Sequence, residues 1–148
     1  MKEKDIQMPI VTPVLNFAGN CEEAIHFYES AFSTKAKLIL HYSDAAEEDW
    51  KLPLTDKQKT FVYRAEMYIG KQRLMFSDII DFELYSGNCV FLTITFDKKE
   101  EVQNVYNKMK AGSTVITEMK STTYSSCFVN FQDKYRVRWG LMTEQTEK

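Results

Sequence analysis

Glycine is scarce in this chain, with five in 148 residues, and no two stand close enough to make G-x-G-x-x-G or a glycine-rich phosphate loop. Nucleotide binding through either device is thereby excluded. Cysteine is scarce too. Cys21, Cys89 and Cys127 are odd in number and far apart, without a C-x-x-C pair. Neither a zinc ribbon nor a thioredoxin motif fits, and free, buried or partly buried thiols are expected. Histidine is limited to His26 and His41, neither placed near a cysteine, and no G-x-S-x-G elbow occurs. His26 is expected on the surface and His41 in a structural role. No apolar run approaches the roughly 20 residues that span a bilayer. The charged start, Met1 to Asp5, has no apolar signal core behind it. A cytoplasmic chain with no membrane partner is therefore expected. An excess of charge is also missing: 21 acidic and 19 basic residues leave a net charge of -2. That gives no electrostatic reason to expect nucleic acid as a partner.

What the chain does have is 44% hydrophobic and 14% aromatic residues, enough for the core of one domain. Ile10 to Phe17 reads as a strand, and Pro13 inside it points to an edge or a bulge. Asn20 with Glu23 three residues on forms a capping box. Behind it Ala24, Ile25, Tyr28, Ala31 and Phe32 make one helix face. A strand over Lys37–Tyr42 follows. Ser43 to Thr60 is polar and acidic, a long loop that is either solvated or a lid over a pocket, with Trp50 and Leu52 as apolar anchors. Phe61–Ile69 and Gln72–Ile79 read as a hairpin turning at Gly70-Lys71, and Asn88–Phe96 as a further strand.

The pattern then repeats. Asp97 with Glu100 caps a second helix, carried by Val102, Val105, Tyr106 and Met109 and stopped at Gly112. Strands over 114–118, 126–131 and 135–142 follow, with a turn at Gln132-Asp133-Lys134 and a polar tail from Thr143. The fold class is α+β. Two βαβββ units, 9–78 and 88–142 within one domain, curl into a half-open mixed β-barrel with the helices outside and a cavity within.

Three stretches, PVLNFAGNCEEAIHFYESAF, GKQRLMFSD and VNFQDKYRVRW, carry a family resemblance. Their diagnostic pieces are N-x-x-E-A-x-x-F-Y, M-x-S-D ending at Asp78, and D-K-Y-x-V-x-W. The chain resembles the vicinal oxygen chelate superfamily of glyoxalase I, extradiol dioxygenases and bleomycin- and fosfomycin-resistance proteins, and within it the PhnB-like branch. It departs from that branch at Tyr135-Arg136, where an aromatic-Gly pair is usual. It departs again at Tyr124, where an aromatic pair is usual, and at Arg64, where a histidine often precedes the small residue of the hairpin strand. The resemblance also implies a homodimer. The branch has often carried a methyltransferase label, but the glycine-rich S-adenosylmethionine loop is absent from this sequence.

Enzymes of the superfamily hold a divalent metal with one side chain from each of four inward-facing strands. The resemblance places those positions at Pro13, Met75, Phe91 and Arg138. Pro and Phe offer no donor atom, Met is too soft for the usual ions, and Arg is cationic. No metal and no other cofactor is expected, nor metal-dependent glyoxalase or dioxygenase activity, nor methyltransferase activity. If Gly70-Lys71 is a two-residue turn, Tyr68 pairs with Arg73, Glu66 with Met75 and Arg64 with Ser77, so all share a face. The expected ligand-binding set is Arg138, Arg64, Glu66, Ser77, Met75, Phe91 and Tyr124, with Leu15 and Phe128 completing an apolar wall. Arg138 would receive an anionic or carbonyl-bearing ligand. The bland alternative is that Arg138 and Glu66 pair with each other or face water. The leading function is a metal-free protein binding a small organic molecule, anionic ones included. One alternative is a metal-independent lyase or isomerase using Glu66 or a tyrosine. Another is a structural or interaction protein whose cavity is filled by its own side chains.

Overall fold

A computed structural model describes residues 8–50 and 53–144. Leu52, expected to anchor the long loop, lies outside the described residues. Eight strands among them form two four-stranded sheets. The first has the order β1 (Val14–Phe17), β4 (Gln72–Asp78), β3 (Val62–Ile69), β2 (Leu38–His41). The second has the order β5 (Leu92–Phe96), β8 (Arg138–Thr143), β7 (Ser125–Gln132), β6 (Thr114–Thr122). In each, the outer strand before the helix runs parallel to the last strand, and the remaining pairs are antiparallel. The same strand order twice bears out the duplicated α+β unit.

Three helices accompany the strands: α1 (Cys21–Phe32), α2 (Asp56–Lys59) and α3 (Lys99–Met109). The expected stripe of α1 is buried at Ala24, Ile25, Tyr28 and Ala31, and that of α3 at Val102 and Met109. By contacts the chain divides into two compact units, and α1 is shared between them. The first unit takes the described residues up to Ile25 together with Thr34–Phe82, and the second takes His26–Ser33 and the described residues from Glu83.

Each unit is organised by one buried carboxylate. In the first, Asp78 is 1% exposed. Its Oδ1 accepts from the Gly19 amide at 2.7 Å and the Cys21 amide at 3.1 Å, and its Oδ2 from the Val62 amide at 2.9 Å. The start of α1 is thus tied to the ends of β3 and β4, and the orphan amides of a helix N-terminus gain an acceptor. Gly19 is at φ +109, and a Cβ there would stand 2.9 Å from the Phe61 ring.

In the second unit Asp133, 2% exposed, has four donors around it. Oδ1 accepts from the amides of Tyr135 at 2.8 Å and Val137 at 3.0 Å. Oδ2 accepts from the Tyr28 hydroxyl at 2.6 Å and Trp139 Nε1 at 2.8 Å. Burial, and then the adjacent carboxylate, push the Tyr28 phenol well above its ordinary range, so it stays protonated and donates. Residues from the first and last diagnostic motifs therefore meet in one hydrogen-bonded core.

Several boundaries differ from the sequence expectation. β1 begins at Val14 and β5 at Leu92, with Ile10, Val11 and Val90 exposed before them. The α3 cap lies one residue later than expected. Lys98 is the N-cap, and Glu101 rather than Glu100 accepts from its amide at 3.1 Å. Acids at both 100 and 101 keep the carboxylate half of the box in the shifted frame, whereas the Lys98 side chain makes no cap hydrogen bond. The expected loop 43–60 contains single 3₁₀ turns at Tyr42–Asp44 and Glu47–Asp49, and then α2. A Thr55–Gln58 capping box starts α2, a signal present in the sequence. Thr143 is fully buried in β8 rather than part of a frayed tail. Its hydroxyl lies 2.7 Å from Ser126 Oγ and 3.1 Å from Ser125 Oγ.

The last hairpin turns over Asp133–Val137, which delays β8 to Arg138. This turn puts Arg136 at φ +71, where a Cβ is disfavoured by about 1 kcal/mol. Arg136→Gly is expected to stabilise the protein by about 0.5 kcal/mol, after the looser unfolded chain is offset. The urea midpoint measures it, and a lowered midpoint would show that the backbone strain is not what limits this turn.

Candidate functional site

The Gly70-Lys71 turn has two residues, as expected, with Ile69 opposite Gln72, Tyr68 opposite Arg73 and Glu66 opposite Met75. Parity then sorts the first sheet. Leu74, Phe76, Ala65 and Met67 are buried on one face. Arg64, Glu66, Arg73, Met75 and Ser77 stand on the other. On that face Arg64 Nη2 lies 2.7 Å from Glu66 Oε2 and 3.4 Å from Met75 Sδ. Arg73 Nη1 lies 3.9 Å from the same Glu66 oxygen. Glu66 is thus an ion-pair partner of two guanidiniums within its own sheet. Both contacts fall on Oε2.

The β1–β4 register corrects one expected position. Val14, not Pro13, is the parallel partner of Met75, while the Pro13 carbonyl accepts from the Met75 amide at 3.0 Å. Leu15 pairs with Phe76 and so stands on the buried-core face, not with Met75. A one-residue slip reverses the face of a side chain. Val14 supplies no donor atom either.

In the second sheet Phe91 precedes β5 and Arg138 opens β8. The Leu92–Trp139 register carries them onto the same face. The Arg138 guanidinium carbon stands 6.0 Å from the centre of the Phe91 ring, and Nε donates to the Gly87 carbonyl at 3.2 Å. Among the described residues nothing hydrogen-bonds to the two terminal nitrogens of Arg138. Tyr124 sits in the two-residue turn between β6 and β7, 48% exposed, with its ring 5.9 Å from that of Phe128. The expected site residues thus form three groups: Arg64, Glu66 and Met75, with Ser77 on their face; Phe91 with Arg138; and Tyr124 with Phe128.

A metal fits none of these. The four positions that the resemblance suggested for metal ligands, with Val14 in place of Pro13, hold an aliphatic side chain, a thioether already touched by Arg64, a phenyl ring and a guanidinium. No group of three or more His, Cys, Asp or Glu side chains suited to an ion occurs among the described residues. Among the described residues no hydrogen bond joins a thiol to a base. Cys21 is buried, and burial, with Asp78 and Glu22 nearby, pushes its thiol far above the ordinary range. Cys127 is buried as well, whereas Cys89 is exposed, contrary to expectation. His26 is on the surface beside Glu29, as expected. His41 is hydrogen-bonded to Glu22 at 2.7 Å, which raises its pKa.

A cavity of about 670 Å³ in the first unit is lined by residues of the Tyr42–Lys59 segment itself. Tyr42, Ser43, Ala45, Glu47, Trp50 and Lys59 are among its walls. The Tyr42 ring packs 5.0 Å from Tyr63 and 5.8 Å from Trp50. Trp50 therefore anchors the segment, as the sequence suggested. None of the seven expected ligand-binding residues lines this cavity.

The family described as 3-demethylubiquinone-9 3-methyltransferase matches residues 9–142. The chain belongs to this family. It is 23% identical to protein YjdN of Escherichia coli over 137 residues, which cover 89% of this chain and 92% of that one. The solved structure of PA1353 from Pseudomonas aeruginosa superposes with a TM-score of 0.81 at 24% identity, covering 93% and 99% of the two chains. A Bacillus cereus structure described as a putative 3-demethylubiquinone-9 3-methyltransferase, PhnB protein, gives 0.69 at 24% identity, covering 91% and 99%. Structures described as glyoxalase/bleomycin-resistance/dioxygenase proteins share the fold.

The motifs that identify the family are explained by the two carboxylate hubs. Asp78, Tyr28, Asp133 and Trp139 form these hubs. Three residues beside Arg138 went unnoticed in the sequence: Thr93, Asn130 and Gly140. The available signal was a glycine in the middle of the apolar last strand.

Proposed function

We propose that this chain binds a small organic carboxylate, without a metal, on the Phe91–Arg138 face of the second sheet. The observation that carries this is the state of Arg138. Nε and the Phe91 ring hold the guanidinium in place, and both terminal nitrogens keep donors to offer. A planar, fixed guanidinium matches a carboxylate with two parallel hydrogen bonds, and the phenyl ring beside it suits an apolar substituent. The family description names a methyltransferase, but the five glycines stand singly, so no S-adenosylmethionine loop supports carrying that activity over. The lyase or isomerase reading, by Glu66 or a tyrosine, has no comparable observation behind it, and its Glu66 is engaged by Arg64 and Arg73.

The test compares phenylacetate with neutral phenylacetamide by calorimetry. The carboxylate is expected to bind and the amide to bind at least 10-fold more weakly. Arg138→Met should weaken phenylacetate by 10- to 100-fold, about 1.4–2.8 kcal/mol, as for a hydrogen-bonded charge. Equal binding of acid and amide, or an unaffected Arg138→Met, would rule the reading out.

A further inference from the structure

The glycine at the centre of the second sheet points to what stands next to that carboxylate. Gly140 lies in β8, an inner strand, where glycine weakens a sheet and often marks a close approach of another group. Its register partners are Thr93 on β5 and Asn130 on β7. A Cβ on Gly140 would stand 2.8 Å from Thr93 Oγ1 and 2.8 Å from Asn130 Oδ1. The missing side chain is what lets these two oxygens converge over the strand. Gly140 is two residues beyond Arg138, so the pair shares the Arg138 face, one row along. The opposite face, with Trp139, Leu141, Phe131 and Val129, is buried core. Among the described residues nothing hydrogen-bonds to the Thr93 or Asn130 side chain, and Thr93 is exposed.

We propose that Thr93 and Asn130, over Gly140, form a second subsite that selects a carboxylate carrying a hydroxyl group close to its acid function. The inference rests on the Arg138 reading above. Its chemistry follows from the two facing oxygens. An amide oxygen only accepts, so the ligand atom above Gly140 has to donate, and a threonine hydroxyl completes the pair by donating or accepting. A ligand hydroxyl does this, whereas a keto oxygen cannot. Both facing groups are neutral, which favours a hydroxyl over an ammonium. Phe91 leaves the apolar side of the ligand beside Arg138. The ligand class is an apolar-substituted hydroxycarboxylate.

Mandelate and phenylacetate differ only in that hydroxyl, and calorimetry on the full chain compares them. Wild-type protein is expected to bind mandelate about 10-fold tighter, the worth of a satisfied hydrogen-bond pair. Thr93→Val, at an exposed position and nearly the same shape, should bring the ratio close to one. Gly140→Ala keeps all the polar groups but fills the space between them, and should also remove the preference. Arg138→Met should weaken both acids alike. Equal binding of the two acids by wild type, or a ratio that survives Thr93→Val, overturns the subsite and leaves the Arg138 reading standing. Failure of both acids to bind wild type overturns the two together.

Discussion

Asp133→Ala is expected to remove about 3–5 kcal/mol of stability, a large part of what a domain of this size possesses. Four donors converge on this carboxylate, and two of them, the Tyr28 hydroxyl and the Trp139 indole, come from buried side chains. Alanine leaves all four without this acceptor, and the Tyr28 and Trp139 donors are buried where water does not replace it. The asparagine variant is the sharper test. All four partners donate, and an amide has a single accepting atom. Its NH₂ group would face two further donors. Asp133→Asn keeps an acceptor for two of the four donors and should lose more than half of what Asp133→Ala loses, despite its near-identical shape. Urea unfolding followed by tryptophan fluorescence measures both. A loss below about 1 kcal/mol for the alanine variant would mean that the hub is not what holds the second unit.

Asp78 should behave differently in one respect. Asp78→Ala strands three buried or part-buried backbone amides, for an expected loss of about 3 kcal/mol or more. Here Oδ1 serves two of the amides, Gly19 and Cys21, and Oδ2 serves the third, Val62. Asparagine can keep its oxygen toward the first two and lose only the third. Asp78→Asn should therefore recover roughly half of what alanine loses, about 1.5 kcal/mol. Identical losses for the two variants would rule out this division of labour. Taken with the Asp133 pair, the contrast separates acceptor geometry from net charge, because every variant removes the same charge.

The elements legible in the sequence were those with a local cause. Helices α1 and α3 followed from apolar spacing, and the first hairpin from Gly70, which sits at φ +58 as its turn demands. The duplicated strand order followed from the repeat of these signals. Less legible were features whose cause lies far along the chain. Asp78 and Asp133 are motif positions, but nothing local says that they accept from residues up to 105 positions away. The face of Leu15 and the Val14–Met75 pairing depend on strand register, which a one-residue shift inverts. The ion pairing of Glu66 with Arg64 needed only period-two parity, yet side-chain direction decided it. The Thr93–Gly140–Asn130 row stayed hidden because its members lie on three strands, and only the sheet puts them side by side.

The 105-residue separation between Tyr28 and Asp133 also bears on how the protein comes into being. The second half of α1 is made early, whereas the aspartate and the indole that complete its surroundings are made near the end. At ribosomal speeds of about 5–20 residues per second, the phenol waits roughly 5–20 s for its acceptor to be synthesised. Throughout that interval Tyr28, Ala31 and Phe32 belong to a surface whose permanent cover does not yet exist. The nascent chain is therefore most exposed to misassembly and to chaperones not at its leading edge but at a helix that looks finished.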